Sequence, residues 1–264
     1  MSIIWEKLYY RVQTLFIFLQ KKMIASKLSL PHANYRIDLL RTLEPIKESM
    51  PSHEVFIDIG TNKGEFSKIV IDIYHPSLVI CIEPNEKLNP EIASNCKESN
   101  SVIINKAISN SVGEMDFYFH TDSQMSSLFA SDKNLIQRDF QEDDADAIIK
   151  KVIPVTTLNA VFDENKAQLS GKTIFLKIDT QGNELEVIKG GDKMLSKISY
   201  CLLEYMFQSP YEKQYPFEEI MQVMCSHGFS CFGPMHVSQR VTGEVGAVLF
   251  LFGKNGRPGS CPNN

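Results

Sequence analysis

Segments with the pattern of a buried strand alternate with segments with the pattern of an amphipathic helix along most of this chain. The first pair is EVFIDIG followed by GEFSKIVIDIY, at residues 54–60 and 64–74, and similar segments recur as far as GAVLFLF at 246–252. Short continuous apolar runs are typical of strands covered on both faces by helices. The alternation therefore predicts an α/β fold with a doubly wound, mostly parallel sheet of seven strands and helices on both faces.

The pattern divides the chain into three parts. Residues 1–30 carry apolar side chains at helical spacing interrupted by charges, which predicts an amphipathic N-terminal helix. Residues 31–255 carry the alternating pattern, with an exposed insertion at about 110–150 that contains the acidic run QEDDAD. Residues 256–264 read GRPGSCPNN and are predicted to form a flexible tail.

The N-terminal helix has two interpretations. We expect its apolar face to pack against the rest of the domain or against a second subunit in a homodimer. The alternative is peripheral contact with a membrane, which Trp5 and the basic pair at 21–22 favour. The six cysteines form no CxxC pair, which is typical of a reducing compartment. We therefore expect a cytoplasmic protein, with peripheral attachment at the inner face of a membrane as the alternative.

The turn between the first strand and the first helix carries the residues of a ligand site. Asp58 lies near the end of the strand, and Gly60 and Gly64 follow in the turn. Doubly wound sheets bind ligands outside the carboxyl ends of their strands, where a helix N-terminus offers unpaired N–H groups. Glu83 closes the second strand, at a place suited to an acid that binds ribose hydroxyls. These residues predict a nucleoside ligand.

Two cofactors compete for this turn. A dinucleotide site needs G-x-G-x-x-G, because its middle glycine lets a pyrophosphate lie against the backbone. Here Asn62 stands in place of that glycine, and Asp58 puts a negative charge before the first glycine. S-adenosylmethionine carries no phosphate, and its methionyl ammonium is a cation that an acid holds directly or through water. The turn therefore favours S-adenosylmethionine over a nicotinamide cofactor.

Several longer motifs follow one another over about residues 53–253. They are VFIDIGTNKGEFS, CIEPNE, SSLF, VIPVTTLNAVF, IFLKIDTQGNELEVIKGG and CLLEY. In order and spacing they resemble the FkbM-type methyltransferase family. The resemblance implies a Rossmann-like fold, use of S-adenosylmethionine, and methylation of a hydroxyl oxygen on a sugar, a glycan precursor or another small metabolite. It also implies that the cofactor positions are Asp58, Gly60, Gly64 and Glu83.

Four charged residues are candidates for the chemistry. Lys177 and Asp179 lie two apart on a predicted central strand and therefore share a face. Asp179 is the first candidate for a base or an acceptor-orienting residue, and Glu184, in the first turn of the next helix, is the second. Glu204 ends a neighbouring strand. The structural alternative is an ion pair between Lys177 and an acid, with Glu184 as a helix cap. His120 and His236 are weaker candidates for contact with the acceptor.

Composition and motifs exclude several other classes. A net charge of −5 and a pI near 5.7 argue against nucleic acid as a partner, and DTQG stands where many nucleic-acid methyltransferases have [DN]-P-P-[YF]. No motif requires a metal and we predict none, with a divalent ion held by Asp179 and Glu204 as the alternative. Two other functions stay open: a non-catalytic, membrane-associated nucleoside-binding module, and a nicotinamide-dependent oxidoreductase.

Overall fold

A computed structural model describes residues 43, 54–132, 148–239 and 243–254. The predicted N-terminal helix (1–30), the acidic run at 141–146 and the predicted tail (256–264) lie outside the described residues. The chain divides into a unit of residues 1–49 and a compact unit of residues 50–264. All of the described residues except Leu43 belong to the second unit.

The described residues contain ten strands, which form two sheets. The strands are β1 (Val55–Ile59), β2 (Leu78–Ile82), β3 (Ser101–Ile104), β4 (Ala107–Ile108), β5 (Gly113–Phe119), β6 (Ile149–Thr156), β7 (Ile174–Ile178), β8 (Ile198–Met206), β9 (Ser230–Gln239) and β10 (Val245–Gly253).

The larger sheet has seven strands in the order β3-β2-β1-β7-β8-β10-β9. β3, β2, β1, β7 and β8 are parallel, and β10 is antiparallel to both of its neighbours. The predicted doubly wound, mostly parallel sheet is therefore confirmed. The strand order reverses between β1 and β7, which are hydrogen-bonded neighbours, so the carboxyl ends of these two strands form the topological switch point where such sheets bind ligands.

Seven α-helices connect these strands within the described ranges. They are α1 (Glu65–Tyr74), α2 (Asn89–Asn95), α3 (Leu158–Glu164), α4 (Lys166–Leu169), α5 (Glu184–Lys189), α6 (Asp192–Leu195) and α7 (Phe217–Ser226). Pro90 lies in the first turn of α2, where its missing N–H costs no hydrogen bond. Thr157 caps α3, because its hydroxyl accepts a hydrogen bond from the Ala160 amide.

Helices cover both faces of the larger sheet. On one face, alternate residues of the central strands pack with residues of α3, α5, α6 and α7 in the main hydrophobic core. On the opposite face, Phe56 and Phe175 stack on each other and on Phe66 and Tyr74 of α1. The second face is the important one for the site, because Asp58 and Lys177 alternate with the core residues on β1 and β7 and so point towards α1.

The strands around the predicted insertion form a sheet of their own. β6 pairs with β4 in parallel and with β5 antiparallel, giving the order β4-β6-β5. These strands do not extend the seven-stranded sheet, because their apolar side chains close a separate small core around Phe117, Leu128 and Ile153.

Candidate active site

The loop after β1 has a backbone that few side chains allow. Gly60 and Gly64 have φ of +77° and +80°, and Asn62 between them has φ of +51°. The amides of Gly60 and Thr61 both donate to the carbonyl of Ile82, at 3.0 and 3.2 Å, and so tie the loop to the end of β2. Glycine populates this left-handed region without a steric penalty, which explains the two glycines found by the sequence motif.

Gly60 also marks a close approach to the end of β7. A Cβ atom on Gly60 would lie 1.7 Å from the carbonyl oxygen of Asp179, a distance that no side chain allows. The Asp179 amide donates in turn to the carbonyl of Ile59 at 3.0 Å. The loop that follows β1 and the loop that follows β7 are therefore packed backbone to backbone at the switch point.

Glu83 lies where the sequence placed it, directly after β2. Its carboxylate accepts hydrogen bonds from the amides of Asn62 and Asn85, both at 2.9 Å, and the residue is 7% exposed. Burial raises the pKa of Glu83 to about 7, against the opposing effect of these two hydrogen bonds. Each carboxylate oxygen has a further lone pair, so Glu83 can still accept hydrogen bonds from hydroxyl groups of a ligand.

Asp58 lies beneath the loop, in a closed polar cluster. The residue is completely buried; its Oδ2 accepts a hydrogen bond from Ser67 at 2.6 Å, and its Oδ1 lies 3.5 Å from Lys177 Nζ. Lys177 is paired with Asp58 in the register of β1 and β7, and its ammonium group lies 5.2 Å from the ring centre of Phe66. Burial raises the pKa of Asp58, against the opposing effects of the Lys177 charge and the Ser67 hydrogen bond. The structure thus gives Asp58 an internal contact with Lys177, and its predicted contact with the ammonium group of a cofactor stays a prediction.

Asp179 presents its carboxylate at the open end of β7. Oδ2 accepts from Lys177 at 3.0 Å and Oδ1 accepts from Gln181 at 2.9 Å, and the side chain is 22% exposed. Burial opposes ionisation, but the charge of Lys177 and hydrogen bonds from Glu204, Lys177 and Gln181 outweigh it and hold the pKa of Asp179 below its usual range. Asp179 is therefore an ionised carboxylate held in a fixed orientation.

Gln181 connects Asp179 to Glu204 and was missed by the sequence analysis. Its side-chain amide donates to Asp179 at 2.9 Å and to Glu204 at 3.0 Å, and its Oε1 accepts from the hydroxyl of Tyr211 at 3.1 Å. Burial, followed by the charge of Asp179, raises the pKa of Glu204 well above its usual range. Within this pair the pKa of Asp179 is lowered and that of Glu204 is raised, so Asp179 ionises before Glu204. The sequence signal that could have pointed to Gln181 is its place in the DTQG turn. In the structure its φ is +57°.

Glu184 is turned away from this pair and holds the turn after β7. Its Oε1 accepts from the amide and the hydroxyl of Thr180 at 2.9 and 3.1 Å, and both of its oxygens accept from the amide of Gly182 at 3.1 Å. This geometry corresponds to the structural alternative that the sequence left open. The catalytic role of Glu184 stays a prediction.

The first part of the predicted insertion packs onto the site, so the expectation that all of it is exposed is wrong. The Ser127 hydroxyl is buried and donates to the carbonyl of Gln181 at 2.8 Å, while Ser123 hydrogen-bonds the side chain of Asn62 at 3.0 Å. The hydroxyl of Tyr211 donates to the carbonyl of Met125 at 2.8 Å. Residues 123–127 therefore link the loop after β1 to the loop after β7. The SSLF motif supplies Ser127.

The two histidine candidates for contact with the acceptor receive less support from the structure. His120 is buried and its Nε2 lies 3.2 Å from the hydroxyl of Ser131, and burial lowers its pKa. His236 belongs to β9, where it pairs with Leu249 of β10.

Two further absences hold for the described part of the chain. No group of three or more His, Cys, Asp or Glu side chains in it could hold a metal ion. No helix in that part is long and apolar enough to cross a membrane.

Comparison with known proteins identifies the family. Residues 58–231 match the Methyltransferase FkbM domain, a segment that runs from Asp58 of β1 into β9 and includes every candidate residue above except His236. The chain belongs to the FkbM methyltransferase family. The resemblance inferred from the sequence motifs is thereby confirmed.

A curated relative of this FkbM-family chain is the 2-O-methyltransferase NoeI of Sinorhizobium fredii. It is 25% identical over 184 residues, which cover 65% of this chain and 71% of the relative. Among solved structures, a putative RNA methyltransferase from Pyrococcus horikoshii matches at 10% identity with a TM-score of 0.44, over 85% of each chain. TrmK of M. capricolum, in complex with S-adenosyl-homocysteine, matches at 10% identity with a TM-score of 0.41, over 81% of this chain and 67% of that one.

Proposed function

We propose that this FkbM-family protein is an S-adenosylmethionine-dependent O-methyltransferase whose acceptor is a hydroxyl group of a sugar or glycan precursor. The observation that carries the proposal is the position of Asp179. Its ionised carboxylate lies at the open end of β7, and the main-chain carbonyl of the same residue packs against Gly60 of the predicted cofactor loop. A proton acceptor and a nucleoside-binding loop thus meet at one point.

The residues present fit the cofactor. Glu83 offers a buried carboxylate with free lone pairs, suited to two neighbouring ribose hydroxyls. The loop at 60–64 has the glycine backbone that lets a ligand approach closely, and the middle position of a pyrophosphate motif is occupied by Asn62. When bound, S-adenosylmethionine supplies an electrophilic methyl group on its sulfonium.

The chain's own contribution is to orient the acceptor and remove its proton. Asp179 accepts the hydroxyl proton at the carboxylate, in the general-base role. Lys177 and Gln181 fix the orientation of that carboxylate by hydrogen bonds of 3.0 and 2.9 Å. Burial and the charge of Asp179 raise the pKa of Glu204 well above its usual range, so of the two acids Asp179 is the one that ionises more readily. Fixed geometry of this kind supplies most of what a reaction with a strong electrophile needs.

The acceptor class has its own support. NoeI, the curated relative, is named a 2-O-methyltransferase, so methylation of oxygen occurs in a relative of this chain. An ionised carboxylate suits a hydroxyl acceptor, since a hydroxyl must lose its proton as the methyl group is transferred. The acidic net charge disfavours nucleic acid.

The test is turnover with sugar acceptors. Purified protein, S-adenosylmethionine and a panel of monosaccharides and oligosaccharides are expected to release S-adenosylhomocysteine and to give a product heavier by one methylene unit. Binding of S-adenosylmethionine without turnover on any panel member would favour the non-catalytic nucleoside-binding module. Tighter binding of NADH than of S-adenosylmethionine would favour the oxidoreductase.

A further inference from the structure

A cleft of about 490 Å³ lies on the outer face of the small sheet, beside the candidate active site. One wall is β5, on which Glu114, Asp116 and Tyr118 alternate and therefore share a face. Phe129 and Lys213 form part of the opposite wall. The volume falls within the range of about 300–1,000 Å³ that is typical of small-molecule sites.

The cleft shares a wall with the loop that carries Gln181. A Cβ atom on Gly182 would lie 3.3 Å from the ring of Phe129 and 3.6 Å from the carbonyl oxygen of Lys213, so the wall opposite β5 reaches this loop. The Glu212 amide donates to the carbonyl of Ala130 at 2.8 Å, which joins the segment of Phe129 to that of Lys213. The cleft therefore borders the loop that carries Gln181 along this wall.

The charges of the cleft select against anions. Glu114, Asp116 and Glu212 contribute three carboxylates, while the ammonium group of Lys213 lies over the rings of Phe129 and Tyr215, at 5.1 and 4.6 Å. Asp116 pairs with Lys150 at 2.7 Å at the surface. A phosphate or a nucleic acid strand would meet net negative charge here, which is unfavourable.

The same groups fit a neutral, polyhydroxylated ligand. Carboxylates accept hydrogen bonds from hydroxyl groups, and the side chains of Glu114 and Glu212 are exposed and make no hydrogen bond or ion pair with other described residues. The ammonium groups of Lys150 and Lys213 lie 5.6 Å from the ring centre of Tyr118 and 5.1 Å from that of Phe129, where they can donate to the oxygens of the same hydroxyl groups.

We propose that this cleft binds the sugar residues adjacent to the one that is methylated, so that the acceptor is an oligosaccharide rather than a free monosaccharide. The inference rests on the proposed function, because it gives the cleft a part of the same acceptor. It goes beyond that function in naming where the remainder of the acceptor lies and which residues select it.

The experiment measures binding separately from catalysis. Val152 is 63% exposed, lines the cleft and lies directly opposite Asp116 in the register of β5 and β6. In protein with ¹³C-labelled valine methyl groups, the Val152 resonance is assigned with Val152→Ile. The probes are cello-, chito- and malto-oligosaccharides from disaccharide to hexasaccharide, with the matching monosaccharides. We expect at least one oligosaccharide series to shift the Val152 resonance, more strongly as the chain lengthens.

The variant Glu114→Gln/Glu212→Gln isolates the cleft. Both side chains are exposed, so the fold should survive the change; we expect the oligosaccharide to bind at least about fivefold more weakly, with S-adenosylmethionine binding unchanged. Asp163→Asn/Glu164→Gln, two exposed acids of α3, is the matched control and should bind like the wild type.

The outcomes separate the two proposals. If no probe shifts the Val152 resonance, the cleft proposal is overturned, even if a sugar is methylated. Equal oligosaccharide affinities in wild type and the cleft variant overturn it as well. Oligosaccharide binding at Val152 without methylation of any panel member supports the cleft site while the proposed function fails.

Discussion

Lys177 and Asp179 form an ion pair of 3.0 Å at the end of β7, yet the lysine side chain is 4% exposed and the aspartate side chain 22%. Lys177 has a second carboxylate partner in Asp58, at 3.5 Å and completely buried. The two acids beside one lysine therefore have different positions. Asp58 contacts Lys177 inside the protein, and Asp179 presents a carboxylate to the solvent side.

Asp179→Asn should lower turnover with little loss of stability. The amide keeps the shape of the side chain but cannot accept the proton, so we expect the rate to fall by roughly 100-fold, the scale of general-base catalysis. Lys177 retains Asp58, so the melting temperature should fall much less than in the lysine variant below. Asp163→Asn on α3 is the control. Wild-type turnover in Asp179→Asn would remove Asp179 from the mechanism.

Lys177→Met should destabilise the fold more than any change at Asp179. It leaves Asp58 buried beside Ser67 without a counter-charge, and breaking a buried pair from one side costs roughly 3–5 kcal/mol. Urea unfolding followed by circular dichroism measures the loss, with Lys166→Met at an exposed site as the control. Equal stability of the two variants would mean that the ion cluster contributes little.

The affinity for S-adenosylmethionine should rise with pH up to about 7. Ribose hydroxyls donate to the carboxylate form of Glu83, whose pKa burial raises to about 7, so affinity should fall roughly tenfold for each pH unit below that value. Calorimetry between pH 5.5 and 8 tests this. Glu83→Gln cannot ionise and should bind more weakly at pH 8, with a flatter profile. A steep profile in the variant would assign the pH dependence to another group.

The raised pKa of Glu83 has the opposite effect on the stability of the unliganded fold. Glu83 binds a proton more tightly in the folded protein than in the unfolded chain, whose value is near 4.5, so this stabilisation is complete below pH 4.5 and is lost as the pH rises through 7. In thermal melts without ligand, the difference in melting temperature between wild type and Glu83→Gln should therefore change between pH 5 and 8. A constant difference across that range would contradict the assignment.

Gly60→Ala and Gly171→Ala form a matched pair. Both glycines have φ close to +76°, at +77° and +75°, but a Cβ at Gly171 meets open space, whereas one at Gly60 meets the Asp179 carbonyl at 1.7 Å. Gly171→Ala should cost about 1–2 kcal/mol for the left-handed backbone alone. Gly60→Ala should cost considerably more and abolish cofactor binding. Similar melting temperatures for the two variants would show that the two loops are not in contact.

The parts of the fold set by local pattern could be predicted. Apolar runs and glycine turns gave the central strands, the switch point and the place of Glu83, because these depend on neighbours in sequence. The independent small sheet could not be predicted, since the pairing of β5 with β6 joins residues on either side of the 120–148 segment. Alternating strands do not specify which sheet they join.

In the candidate site, too, features set by local pattern could be predicted and features set by long-range contacts could not. Lys177 and Asp179 could be paired from their spacing on one strand, but the second partner, Asp58, comes from the neighbouring strand and depends on register. Gln181 looked like an ordinary turn residue, because its role depends on Tyr211, thirty positions away in the chain. Long-range hydrogen bonds of this kind leave no periodic signal.

The contact between Gly60 and Asp179 has a consequence for how substrates enter and leave. Because the two loops touch through their backbones, β1 and β7 cannot spread apart without breaking the packing of the sheet. Residues 123–127 bridge the two loops: the side chains of Ser123 and Asn62 hydrogen-bond at 3.0 and 3.2 Å, and the buried Ser127 donates to the carbonyl of Gln181 at 2.8 Å. Any opening of the site on this side therefore has to break several hydrogen bonds together, while the sheet stays closed.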